Sequence, residues 1–477
     1  MIGPILNNAY KSHNNRDPLG IDGISQSIVG DLCPIINSVT PHAIYWIFVN
    51  WIYYDLYENR KTTDMSEKIL NAYIKKLNYF MVLGNILNGV DVSDMVGVTN
   101  IRALPKDLDT YSYNDSYIQT LTGINYYRAA LTTAGFITNF DENQIEQFQH
   151  FKFTQKGRKL ALSLNNLITN CDFYMKYISN DLYESIPRED IKEFGRIVSF
   201  KLERLDESKK LLKEYFFDTI TKLSLQYDFI KYLYYDLKIK DISDNGLRFF
   251  LYDYFSERSL NNQCPDNLKI LVKGWEVLVS RHFFTNAVEM IFSYVLEMLI
   301  APIRIDDFVN RLLESIPDSK LSDYIDKYDL NGNKIDELLS YGRNKRNSHE
   351  QSIENSIKIL CSLYNRLNNR EDLNQDFLNL NNEGTSISLN EMISDIDLYR
   401  ERNIRDYAEY IIKEYVIKQH IETAQRKMSL NEDSFFFGYY NDIIYNINSY
   451  EYDFWYQNLR INNLFQVMNE LDMLGGE

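Results

Sequence analysis

Val279–Ile300, VSRHFFTNAVEMIFSYVLEMLI, is the stretch on which the fold turns. Phe283, Phe284, Ala287, Met290, Ile291, Tyr294, Val295, Leu296, Met298 and Leu299 are spread round the whole circumference of a helical spiral. A helix that is apolar on every side has to lie at the centre of a bundle. Pro302 stops it shortly after its end. Glu289 and Glu297 on this helix either orient reactive side chains or lie at the surface.

Working outward, the pattern remains helical. Asp306–Ser315 reads as a short helix, and Asn331-Gly332-Asn333 is a turn signal that starts another helix over Lys334–Tyr341. Ser352–Leu367 carries Ile353, Ile357, Leu360, Tyr364 and Leu367 on one face. After a polar loop over 368–386, residues 388–428 hold two more helices. The aromatic-rich end, with Phe454-Trp455-Tyr456, is expected to dock onto a core. Upstream, 172–265 is amphipathic and helical, with one helix opening at Asp206-Glu207 and a continuation over Phe216–Leu237. Asn261–Asn267 reads as a boundary.

Tyr341–Glu350, YGRNKRNSHE, lies between two of these helices. It joins an Arg-Asn pair, a second Arg and a His. A histidine titrates near neutral pH and can both give and take protons. A guanidinium donates paired hydrogen bonds to phosphate oxygens. Together they suit cleavage of RNA by its own 2′-hydroxyl. On one continuous helix Arg343 and His349 lie about 120° apart, at ~100° per residue, whereas Arg346 and His349 share a face. Either the helix breaks near Gly342 or the site is composite. The other reading of the same residues is a polar helix start, with Glu350 as its first-turn acid.

A long apolar helix, a short helix, then Arg343-Asn344 and His349 opening an amphipathic helix resembles the HEPN superfamily over about 270–370. These are all-α bundles, many of them metal-independent ribonucleases, whose motif is Arg, four to six residues, His, often with Asn after the Arg. The resemblance implies catalysis by Arg343 and His349 with Asn344, and Arg346 is their geometric rival. It implies no metal and no cofactor. It also implies a homodimer, because such sites commonly form across two bundles and this chain has one motif. Arg402-Asn403 resembles a second start, but His420 is too far from it.

The N-terminal third carries a second pattern. Residues 1–40 show turn signals and little helical period. Thr40 and Pro41 are placed to open a helix to about Tyr57, whose Trp46 and Trp51 read as core. Ser66–Leu87 is a further helix, weakened at its end by Gly84. Ile124–Ala134 is a helix closed by Gly135. Phe136–Thr138 and Phe151–Phe153 are short strands, and Thr154 caps a helix from Gln155 to about Ile168. The phrase Phe153-Thr154-Gln155-Lys156-Gly157-Arg158-Lys159-Leu160 resembles the Leu-Thr-x-x-Gly-x-x-Leu of winged-helix domains, many of which bind partners rather than DNA. Lys152, Lys156, Arg158 and Lys159 could contact phosphates or form a solvated helix start. The preceding helix offers only Arg128 as a base, which weighs against sequence readout and a transcriptional regulator.

Composition narrows the function classes. The 477 residues carry a net charge of −16, from 51 Lys and Arg against 67 Asp and Glu. A global basic footprint for nucleic acid is absent. Cys33, Cys171, Cys264 and Cys361 are scattered and form no zinc-like cluster, which suits free thiols in a reducing cytosol. No signal peptide is visible at the N-terminus. The apolar run Ile44–Tyr57 falls short of the ~20 residues of a membrane span and contains Asn50 and Asp55.

The expectation is a mainly α, cytoplasmic protein that does not engage membranes. Residues 1–170 form a helical domain with a winged-helix-like module, 171–265 a central helical region, 266–430 a HEPN-like bundle, and 431–477 a docking segment. Its function would be RNA cleavage in a bacterial antiphage (abortive-infection) or toxin system. The alternative is a non-enzymatic winged-helix adaptor that binds nucleic acid or protein partners.

Overall fold

The computed structural model describes residues 17–36, 42–60, 67–92, 98–114, 124–139, 151–217, 222–239, 243–256, 264–343, 351–380, 387–428, 435–447 and 452–474. The fold is mainly α, with small antiparallel sheets. Two compact units are each assembled from separated stretches. One takes the described residues within 1–32 and 241–459 and is called the long-helix unit. The other takes those within 33–240 and 460–477 and is called the hairpin unit.

The long-helix unit is organised as its central helix predicts. Lys269–Met298 is buried over nearly its whole length and packs against Ser352–Leu367, Asp22–Leu32, Asp244–Ser256, Gly332–Arg343 and Ile411–Lys418. It starts ten residues before Val279, where Lys273 and Glu276 hide the apolar pattern. Glu276 is buried and ion-paired, 3.3 Å from both Arg366 Nε and Arg370 Nη2. Gly274 leaves room for Leu32, since a Cβ there would lie 2.6 Å from Leu32 Cδ2.

The helices around it follow the expected sites closely. They are Ile305–Leu313, Gly332–Arg343 and Ser352–Leu367, with Leu321–Lys327 an addition. Leu389–Tyr399 is opened by a capping box of Ser388 and Glu391. Ile404–Tyr410 runs through a π-helical stretch, Ile411–Lys418, into Gln419–Met428. Ile303–Arg304, Ile443–Asn446 and Phe437–Tyr440 form a three-stranded sheet with Ile443–Asn446 in the middle. Asp22–Leu32 is a helix where the sequence showed turn signals and little helical period. Ile24, Ile28, Val29 and Leu32 bury one face, and Asp22 supplies a first-turn acid.

In the hairpin unit every residue of Ile44–Tyr54 is buried, so Trp46 and Trp51 are core. Thr40 and Pro41 lie outside the described residues. Ala43 occupies the N-cap position without a side-chain bond. The cap comes instead from Glu470, whose Oε2 accepts from Ala43 N at 2.7 Å while its Oε1 meets His42 Nδ1. Glu67–Leu87 crosses Arg188–Ile197 at a glycine pair: a Cβ on Gly84 would lie 2.7 Å from Gly195 Cα, and one on Gly195 would lie 2.6 Å from Gly84 Cα. Gly84 therefore serves close helix packing, not the weakening of a helix end. Asp206–Phe216 begins where the acids signal it, but it stops at Phe216, and a separate helix runs over Lys222–Lys231.

The hairpin pairs Ile137–Asn139 with Phe151–Phe153 in the register Ile137↔Phe153 and Asn139↔Phe151. Thr154 caps Gln155–Thr169 by accepting from Gly157 N at 3.0 Å. A Cβ on Gly157 would lie 2.0 Å from Phe136 O, so only glycine lets this helix start press on the strand.

Each unit draws on separated stretches of the chain. The turn-rich start gives a helix to the long-helix unit, and residues from Arg460 onward leave it for the hairpin unit. Contacts such as His42–Glu470, 428 positions apart, leave no local trace. Among the described residues no helix is long and apolar enough to cross a membrane. All four cysteines are buried and free.

Candidate active site

Arg343 is the last residue of Gly332–Arg343, and three stretches of the long-helix unit converge on it. Gly342 lies in the last turn of this helix, where a Cβ would lie 2.5 Å from Met290 Cγ. Glycine lets the last turn press onto the central helix. Asn286, one turn before Met290 on the same face, then comes within reach. Arg343 Nη2 donates to Asn286 Oδ1 at 2.9 Å, and Nη1 donates to Asp336 Oδ1 at 2.8 Å. Asn344, Arg346 and His349, the other members of the predicted site, lie outside the described residues.

The third stretch is the run 452–457, which lies outside any helix or strand. Its side chains alternate, as in a strand. Tyr452, Phe454 and Tyr456 turn inward, while Asp453 and Trp455 are exposed. Tyr456 Oη donates to Asp336 Oδ1 at 3.0 Å, so one carboxylate oxygen holds both the phenol and the arginine. The Arg343 guanidinium carbon lies 4.4 Å from the Tyr456 ring centre, 5.4 Å from Phe454 and 5.9 Å from Trp455. Its side chain is 14% exposed. Its Nε is buried without a hydrogen-bond partner among the described residues. The guanidinium is thus fixed through two of its nitrogens.

Behind this lies a polar layer on an otherwise apolar helix. Arg248 stacks 4.3 Å from the same Tyr456 ring and donates from Nε to His282 Nδ1 at 3.2 Å. Burial, with Arg248 and Arg281 nearby, holds the His282 imidazole well below its ordinary pKa. It is a neutral core histidine. Burial also pushes Glu289 well above the carboxylate range, Asp22 adds to this, and the Tyr452 hydroxyl and Arg343 oppose it. Glu289 Oε1 accepts from the Tyr452 hydroxyl, and its Oε2 has no hydrogen bond among the described residues. Burial and the charge of Asp17 push Asp22 up to about 7. Of the two carboxyls named from sequence, Glu289 faces this layer and Glu297 is exposed.

The basic cluster belongs to the hairpin unit and is dispersed. Lys156 Nζ lies 4.7 Å from the Tyr215 ring centre and donates to Tyr215 O at 3.4 Å, and burial lowers its pKa. Arg158 is paired with Glu58 at 2.6 Å. Lys159 is exposed, and of Lys152 only the backbone pairing with Thr138 is described. Arg402-Asn403 is structural: Asn403 caps Ile404–Tyr410 by accepting from Arg405 N at 2.9 Å. His420 is bridged in the core between Pro18 O and Phe436 N. Among the described residues no group of three or more His, Cys, Asp or Glu is placed to hold a metal.

Sequence reasoning missed Asn286, Asp336 and Arg248, and it read Phe454-Trp455-Tyr456 as a docking segment without connecting the 452–457 run to Arg343. Two of these had a signal. Asp336 lies seven positions before Arg343, two turns down one helix face, and Tyr452-x-Phe454-x-Tyr456 has period two. The Asn286 contact joins residues 57 apart and had none. In comparisons with protein families, curated proteins and solved structures, nothing matches this chain.

Proposed function

We propose that this chain is a metal-independent RNA endonuclease of HEPN type, acting in the cytoplasm in a bacterial antiphage defence or toxin system. Arg343 and His349 act on the scissile phosphate, and Asn344 and Arg346 flank them. The observation that carries the reading is the fixing of Arg343. A guanidinium that is to stabilise charge developing on a phosphate works best when already oriented. Asp336 and Asn286 hold this one at a helix end, and the chain runs from it directly into the residues that bear His349.

In the proposed reaction the RNA 2′-oxygen attacks phosphorus and the bond to the 5′-oxygen breaks. His349 exchanges the protons. Arg343 meets the equatorial oxygens with the donors that its structural partners leave over. A second copy of the chain supplies the opposite Arg and His across a two-fold axis. The adaptor reading draws less support, because Lys156 and Arg158 are already engaged within the hairpin unit.

The test is cleavage of a mixed RNA substrate in the presence of EDTA. Arg343→Ala is expected to lower the rate about 10²–10³-fold, as for loss of one oriented charge-stabilising donor. Arg343→Lys is expected to recover little of it, because a lysine cannot span Asp336 and Asn286 with a planar fork. Cleavage by Arg343→Ala at the unmodified rate would assign Arg343 to packing alone.

A further inference from the structure

We infer that Trp455 is a base-stacking residue, which holds an unpaired base of the RNA beside the phosphate at Arg343. This inference rests on the nuclease reading for the identity of the ligand. Trp46, Trp51 and Trp275 are buried to within 2% of complete, whereas Trp455 is 70% exposed. An indole left in water loses the burial that makes tryptophan stabilising, so burial does not account for a tryptophan at this position.

Its position is not that of a loop tip. Phe454, buried, and Tyr456, hydrogen-bonded to Asp336, anchor the backbone on either side of it. The alternation of the run turns position 455 outward. The ring is therefore presented on a fixed backbone with its centre 5.9 Å from the Arg343 guanidinium carbon. Tyr341, two residues before Arg343, adds a second aromatic that is 37% exposed.

A flat apolar ring next to a cation matches the two parts of a nucleotide. The base has a π-face that stacks on any aromatic, and the phosphate is an anion. Bases in a duplex are already stacked and do not offer that face. The ligand selected is therefore single-stranded RNA, or an unpaired loop, with little preference among bases.

Binding is measured by fluorescence anisotropy with a labelled oligoadenylate RNA, alone and annealed to its complement. The protein carries His349→Ala, so that the probe stays intact. Trp455→Ala in this background is expected to weaken single-strand binding roughly 5- to 150-fold, the range for loss of one base stack. Trp455→Phe is expected to recover most of the loss, and duplex binding is expected to be weaker and unchanged by either substitution. Equal binding by Trp455→Ala, a Phe variant as weak as the Ala variant, or no binding by any of these proteins overturns the inference. The two readings fail separately. Trp455-dependent binding by a chain that cleaves no RNA retains the stacking residue and removes the nuclease, while cleavage with Trp455-independent binding does the reverse.

Discussion

The His349→Ala protein is expected to cleave RNA about 10²–10⁴-fold more slowly than the unmodified chain, the range for loss of a general acid–base. Its far-UV circular dichroism and melting temperature are expected to be unchanged. The distinction between His349 and the other histidines makes this a sharp expectation. His282 is locked in the core as a neutral acceptor of the Arg248 Nε–H. Burial lowers the His420 pKa to about 4, and both its ring nitrogens are used. His42 is tied to Glu470 at the start of a helix. None of these three can take over proton transfer at Arg343. Replacing His282 with Ala is instead a folding lesion, because it strands the Arg248 Nε–H in the core. An unchanged cleavage rate in His349→Ala would remove histidine catalysis from the account.

The second large effect falls on stability. Asp55 is fully buried in the hairpin unit, and both carboxylate oxygens are saturated. Oδ1 accepts from Asn59 Nδ2 at 2.7 Å and from Tyr174 Oη at 2.6 Å; Oδ2 accepts from Tyr73 Oη at 2.6 Å and from Arg60 Nε at 3.3 Å. Arg60 also bonds Asp181 and the Ile178 carbonyl. Asp55→Ala removes the buried anion and leaves the Tyr73 and Tyr174 phenols and the Arg60 Nε–H facing a void, while Asp181 and the Ile178 carbonyl keep the other two guanidinium nitrogens. Breaking a buried pair in this way costs about 3–5 kcal/mol, or roughly 6–20 °C in the melting of a unit of this size. Asp55→Asn keeps the shape but turns part of the acceptor into a donor, so it is expected to fall between Ala and the unmodified chain. A shift of under about 2 °C for Asp55→Ala would mean that the network relaxes without loss.

The legible parts of the fold are those set by local chemistry. Ser352–Leu367 shows its apolar face at helical spacing. Thr154 announces a capped helix start. Val279–Ile300 declares a central helix because no side of it is polar enough to face water. What was not legible depends on residues distant in sequence. The first turns of the central helix look polar because Glu276 meets Arg366 and Arg370 only in the folded unit. Gly84 reads as a helix breaker until Gly195 is seen against it. The site divides in the same way. Arg343 stood out by composition, but its fixing by Asn286, and the crossing of the 452–457 run beside it, come from tertiary packing. Glu289 was visible as an acid on an apolar helix. That its pKa is raised follows from its burial and from Asp22, which comes from the opposite end of the chain.

The chemistry of the cut ends tests the central claim most directly. Attack by the 2′-hydroxyl leaves a 2′,3′-cyclic phosphate on one fragment and a 5′-hydroxyl on the other, and it cannot occur on DNA. The fragments released by the purified chain in EDTA are therefore expected to resist 3′-end ligation, to accept 5′-phosphorylation without prior phosphatase treatment, and to gain a free 3′-hydroxyl after removal of the cyclic phosphate. Fragments with 5′-phosphate and 3′-hydroxyl ends, or a loss of cleavage in EDTA, would contradict the account.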